Sequence, residues 1–85
     1  MNNEALMQAQ PTTVLLIDDD AFFLKLLAEA FSGSGFVVFT AADGNEGIKT
    51  FIEKRPEVVI CDLIMPGMGG VSTCMTIRKI AAQNA

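Results

Sequence analysis

Apolar residues fall along this chain in two rhythms. Three short runs are nearly continuous and rich in β-branched side chains: Thr13 to Ile17 (TVLLI), Phe36 to Thr40 (FVVFT) and Glu57 to Cys61 (EVVIC). Runs of this length without polar alternation predict strands buried on both faces. Between and after them lie longer stretches that mix Leu, Ala and Ile with charged positions: Ala21 to Ser32, about Asn45 to Lys54, and about Val71 to Ala82. The first is too long and too rich in Leu and Ala for a strand, and it stops at Gly33 and Gly35. The second follows the turn-prone AADGNEG and closes before Pro56, and the third follows the loop LIMPGMGG. These three are predicted helices.

An order of βαβαβα implies parallel strands joined by right-handed crossovers, with helices on both faces of the sheet, an α/β fold. Sheets of this kind gather functional groups at the carboxyl ends of their strands. Two of the three predicted strands end there in acids: Asp18, Asp19 and Asp20 after the first, Asp62 after the third. If those two strands are neighbours, acids distant in sequence converge on one pocket.

Composition narrows the possibilities. Eighty-five residues suit one small domain. A hydrophobic share of 51% and a mean hydropathy of +0.40 exceed what a small soluble domain needs, which leaves apolar surface for a partner. Six basic and ten acidic residues, a net charge of -4, offer no electrostatic footprint for direct contact with nucleic acid. No segment approaches the ~18 apolar residues of a membrane span, and MNNEALMQAQPTT lacks the basic start and apolar run of an export signal. The expectation is a cytoplasmic protein with a disordered tail at residues 1–12 and a domain at 13–85. Cys61 and Cys74 show no zinc-binding spacing, and there is no His, so both read as reduced packing residues.

Ionised carboxylates at the end of a buried strand repel one another and lose hydration, so something must compensate them. One reading is capping, since acids at a helix N-terminus satisfy its orphan N–H groups and its dipole. The other is a hard-oxygen site for Mg²⁺, or Mn²⁺ in its place. Asp20 suits the cap. Asp62 is followed by LIMP and not by a helix, so capping does not account for it. A carboxylate beside a bound cation can accept a phosphoryl group, because the metal offsets charge on the incoming oxygens.

Taken together, VLLIDDD at Val14 to Asp20, TAADGNEGI at Thr40 to Ile48 and PEVVICDLIMPGMGG at Pro56 to Gly70 resemble the receiver domain of two-component response regulators. The segments come in the family's order, with 43 residues from Asp19 to Asp62, and the likeness covers about Thr13 to Ala82. The resemblance implies a truncated flavodoxin-like (βα)3 half-fold with a parallel sheet of order 2-1-3. It implies that Asp62 is the phosphoacceptor, charged by a sensor histidine kinase or a phosphotransfer protein. Mg²⁺ would be held by Asp18, Asp19, Asp62 and the backbone carbonyl of Ile64, with Asp19 the direct ligand and Asp18 acting mainly through water. Met65 and Pro66 would shape the loop. A receiver of this kind is not a dedicated enzyme. An aspartyl-phosphate phosphatase would need a second acid two residues after its nucleophile, where this chain has Ile64.

The pattern also departs from the family. Receivers run to about five βα units and this chain carries three, so the family's Ser/Thr after strand four and Lys after strand five have no counterpart. Metal binding should therefore survive better than phosphotransfer. Gly69 stands where an acidic or polar residue is common, at a cost of a few tenths of a kcal/mol as an N-cap. The third strand becomes an edge that carries little of the charge or proline that protects edges. Phe22 and Leu24 stand where related sequences often carry polar residues. Phe22, Leu24, Val58 and Ile60 are the expected interface of a homodimer or higher oligomer. The alternative function is a non-phosphorylated pseudo-receiver that serves as a self-association or partner-binding module.

Overall fold

The computed structural model describes residues 10–83. Most of the segment read above as a tail, residues 1–9, lies outside the described residues. The elements follow in the expected order: β1 (Thr13–Ile17), α1 (Ala21–Gly33), β2 (Val37–Ala41), α2 (Gly44–Lys54), β3 (Val58–Cys61) and α3 (Gly70–Gln83). The three strands form one parallel sheet in the order β2-β1-β3. β1 is the central strand and the most deeply buried of the three: Val14, Leu15, Leu16 and Ile17 are each at most 1% exposed.

Two strands start one residue later than their apolar runs. Phe36 is held by the end of α1: its N–H donates to the Phe31 carbonyl at 3.1 Å, and the two rings meet edge to face at 5.2 Å. Glu57 is diverted by a reciprocal pair with Thr13. Its N–H donates to Thr13 Oγ1 at 2.9 Å, and its own Oε1 accepts from the Thr13 N–H at 3.3 Å. That pair ties the amino ends of β1 and β3 together. The start of α2 is set by a capping box. Asp43 Oδ1 accepts from the Glu46 N–H at 2.8 Å, while Glu46 Oε2 accepts from the Ala42 N–H at 3.0 Å.

The two faces of the sheet are packed differently. Against one lie α2 and α3, closing a core of Leu15, Ile17, Ala41, Phe51, Met65 and Ile77, with Phe39, Ile48, Val59, Cys61 and Ile80 against it. Strand side chains alternate between faces, so Val14, Leu16, Val58 and Ile60 point the other way. There, among the described residues, only α1 packs, over β1 and β2, and none of its own residues is fully buried. Val58 and Ile60 on β3 are each 41% exposed, and Phe22 on α1 is 73% exposed.

Candidate functional site

The sheet ladder places the acids. Beyond the last residue of β1, the Asp18 N–H still donates to the Ala41 carbonyl at 3.1 Å, and the Asp62 N–H donates to the Ile17 carbonyl at 2.9 Å. The backbones of Asp18 and Asp62 are thus fixed side by side at the carboxyl edge, because β1 and β3 are neighbours. Asp18, Asp19 and Asp62 each offer a carboxylate oxygen, and these oxygens all lie within 4.8 Å of one another. Asp19 is exposed, and Asp18 and Asp62 are half-buried. At that separation each pair of charges repels by about 1 kcal/mol in water and several times that near a low-dielectric surface.

Local hydrogen bonds divide the acidic run between two tasks. Asp20 caps α1, its Oδ1 accepting from the Phe23 N–H at 3.0 Å. Asp18 Oδ1 accepts from the Asp20 N–H at 2.9 Å, which turns the chain out of β1 and into the helix. Across the cleft Asp62 Oδ1 accepts a longer bond, 3.4 Å, from the Ile64 N–H. Three hard oxygen donors so gathered suit a divalent cation that takes carboxylates and water.

The loop after Asp62 is anchored and narrow. Met65 is buried in the core, while Leu63 and Ile64 face outward. Gly67, with a φ of 73°, makes the left-handed turn that brings the chain back. The Gly70 N–H donates to the Leu63 carbonyl at 3.0 Å, and a Cβ at Gly70 would fall onto the Asp62 carbonyl oxygen. Gly70 therefore sets how closely α3 approaches the acid. Thr73, fully buried, donates from Oγ1 to the Gly69 carbonyl at 2.9 Å, and its hydroxyl occupies the space that a side chain at Gly44 would need. Neither Gly70 nor Thr73 stood out in the sequence, where Gly69 drew attention as the cap. The doubled glycine was the available signal.

Cys61, the last residue of β3, donates a hydrogen bond to the Asp62 carbonyl at 3.3 Å. Burial pushes its thiol up to about 11, helped by the charge of the neighbouring Cys74 and by the nearby Asp62 and Asp18 carboxylates. Beside the acids, Phe23 and Leu27 of α1 and Ile60 of β3 flank an open groove of about 160 Å³ that reaches Asp18 and Asp62. Leu24, by contrast, is half-buried and faces Thr40 on the β2 side. Of the four expected interface residues, Phe22, Val58 and Ile60 are open and Leu24 is partly covered. Among the described residues no helix is long and apolar enough to cross a membrane.

Known proteins match this arrangement in both sequence and fold. A protein described as the probable transcriptional regulator ycf27 of Guillardia theta is 42% identical over 66 residues, which are 78% of this chain and 26% of that protein. The DNA-binding response regulator MtrA of Mycobacterium tuberculosis is 33% identical over 72 residues, 85% of this chain and 32% of that one. This chain thus spans about a quarter to a third of the length of those relatives. Among solved structures, the chemotaxis protein CheY4 of Vibrio cholerae superimposes with a TM-score of 0.83 at 29% identity, over 85% of this chain and 60% of that one. The response regulator TrrA of Thermotoga maritima, solved in complex with Mg²⁺ and BeF, gives 0.80 at 32% identity, over 84% and 62%. The family profile of the response regulator receiver domain matches residues 14–84, nearly all of the described chain. With its acids at the carboxyl edge of a β2-β1-β3 sheet, the chain belongs to the response regulator receiver domains of two-component signalling.

Proposed function

We propose that this domain is a phosphoacceptor receiver in which Asp62 takes a phosphoryl group from the phosphohistidine of a sensor histidine kinase or of a phosphotransfer protein. The observation that carries the proposal is the convergence of Asp18, Asp19 and Asp62 from two neighbouring strands, with carboxylate oxygens within 4.8 Å. Their carboxylates and the Ile64 carbonyl would hold Mg²⁺ or Mn²⁺, which supplies positive charge for the phosphoryl oxygens. An Asp62 carboxylate oxygen attacks phosphorus, the phosphorus–nitrogen bond breaks, and its electron pair returns to the imidazole. The Ile64 N–H on Asp62 Oδ1 and the Asp20 N–H on Asp18 Oδ1 orient the two carboxylates beforehand. TrrA, a neighbour in fold that was solved with Mg²⁺ and BeF, lends support. In this reading the domain is a signalling input in the cytoplasm and not a dedicated enzyme. A net charge of -4 argues against direct contact of this domain with nucleic acid; the DNA binding named for MtrA belongs to a protein of which this chain spans 32%.

The test is thermal melting with Mg²⁺ and beryllofluoride. The pair should raise the melting temperature of the native chain and leave Asp62→Asn and Asp19→Asn unmoved. A rise that persists in Asp62→Asn would overturn the assignment.

A second reading rests on the exposure of Phe22, Val58 and Ile60 beside the open edge of β3. It makes the domain a pseudo-receiver that self-associates, as a homodimer or higher oligomer, through Phe22, Leu24, Val58 and Ile60. Sedimentation separates the two readings. Association that is unchanged in Asp62→Asn and lost in Ile60→Asp favours the second, whereas a monomer at all concentrations removes it.

A further inference from the structure

α1 carries more apolar surface than its own sheet covers. Its only charges are Lys25 and Glu29, and at about 3.6 residues per turn they fall with Ser32 on one side of the helix. That side looks toward β2, where Lys25 lies beside Thr40. Leu24, Leu27 and Phe31 are half-buried and face the sheet. Phe22, Phe23, Leu26 and Ala30 make up a second apolar side, and all four are exposed, Phe23 and Leu26 at 48% each. The steps from Phe23 to Leu26 to Ala30 are those of a single seam between paired helices. A helix that is apolar on nearly every side belongs to an interior, yet among the described residues α1 packs on β1 and β2 alone. Two features fit a second copy of the chain to this side. Around a two-fold axis the residues nearest it meet their own counterparts, so a charge there would repel itself, and the seam has none. The area also matches. Phe22, Phe23, Leu26, Val58 and Ile60 leave roughly 450 Å² open per copy, near the about 500 Å² of apolar surface on each side of a standard homodimer interface.

We propose that the second apolar side of α1 binds a second copy of this chain, as a parallel helix pair whose two-fold axis runs along α1 and passes beside Leu26. Phe23, Leu26 and Ala30 then meet themselves across the axis. Phe22, which points away from its own sheet, turns onto the partner copy's β3, where Val58 and Ile60 are open. The two helices become one layer shared between two sheets, and each β3 gains the cover that its own α1 does not reach far enough to give. This deepens the self-association reading above and rests on it, with Phe23 and Leu26 in the contact in place of Leu24, which faces β2. It does not depend on Asp62 accepting a phosphoryl group. A pair of this size separates on dilution, so a dilute sample holds the single copy with its α1 face open.

Sedimentation of the full chain over about a hundredfold range of concentration tests this. The native chain should pass from monomer to dimer. Leu26→Glu and Leu26→Lys, made at a position already half open to water, should each weaken association by at least about tenfold, because like charges meet at the axis. An equimolar mixture of the two should recover a mixed dimer, since opposite charges then face each other. Phe22→Ser, at a position 73% exposed, should also weaken association by at least about tenfold, and it carries the test if the charged variants do not fold. A native chain that stays monomeric at every concentration would overturn both this pairing and the self-association reading, and would leave the face to a different protein. Undiminished association in Leu26→Glu, in Leu26→Lys or in Phe22→Ser, or a mixture of folded charge variants no more associated than its parts, would overturn the α1 pairing alone.

Discussion

The two faces of this sheet carry the same kind of residue and meet different fates. On the α2/α3 face, Leu15, Ile17, Phe51, Met65 and Ile77 are closed from water, and Gly70 lets α3 approach the Asp62 backbone closely. On the α1 face, Val14 and Leu16 are just as buried, but Val58 and Ile60 one strand away are 41% exposed because α1 does not reach over β3. The difference follows from topology. The central strand is shielded by its neighbours and by helices on both sides, and an edge strand is shielded only as far as helices extend. Stability and the geometry of the acids therefore come chiefly from one face, and the other stays partly open to water.

Truncation experiments break or sharpen that contrast most strongly. Phe51→Ala and Ile77→Ala should each cost about 2 to 5 kcal/mol, since both leave cavities in the closed core. Ile60→Ala on the open face should cost less than about 1.5 kcal/mol, because much of its surface already meets water. Equal losses in urea melts would mean that the α1 face is covered in solution. Next in size is Gly70→Ala. Its new methyl group must displace the Asp62 carbonyl, at about 1 to 3 kcal/mol, and should weaken Mg²⁺ binding as well. Isothermal titration reads the second effect, and an unaltered affinity would separate the helix approach from the acid site.

Smaller effects probe the edges of the site. Asp20→Ala removes the cap on Phe23 N–H and should cost about 1 kcal/mol while leaving Mg²⁺ affinity nearly intact. Loss of metal binding in that variant would put Asp20 among the ligands. Alkaline stability reports on Cys61. Its thiol ionises near 9.0 ordinarily and only near about 11 in the fold, so the stability it contributes is fully present below pH 9 and is lost as pH climbs toward 11. Melting temperature should fall across that window, and Cys61→Ala should flatten the fall. An identical profile in the variant would place the alkaline transition elsewhere.

Much of this was legible in the sequence, for local reasons. β1 could be read to the residue because Val14 to Ile17 is a continuous apolar run that stops abruptly at acids. Asp20 was legible as a cap from its place one residue before the helix. The pairing of Asp18 and Asp19 with Asp62 followed once β1 and β3 were taken as neighbours. Strand starts were missed by one residue at Phe36 and Glu57, where side-chain and helix-end contacts outcompete the ladder. The roles of Gly70 and Thr73 were not legible, because they depend on how far the loop after Asp62 carries α3 back toward the sheet. No local pattern encodes that distance.

The central claim is that Asp62 is the phosphoacceptor of a site it shares with Asp18 and Asp19. Its most direct test is intact-mass measurement after incubation with acetyl phosphate and Mg²⁺. The native chain should gain the mass of one phosphoryl group, mapped to Asp62, with no gain without the metal or in Asp62→Asn. A native chain that gains nothing, or an Asp62→Asn chain that gains as much, would contradict it.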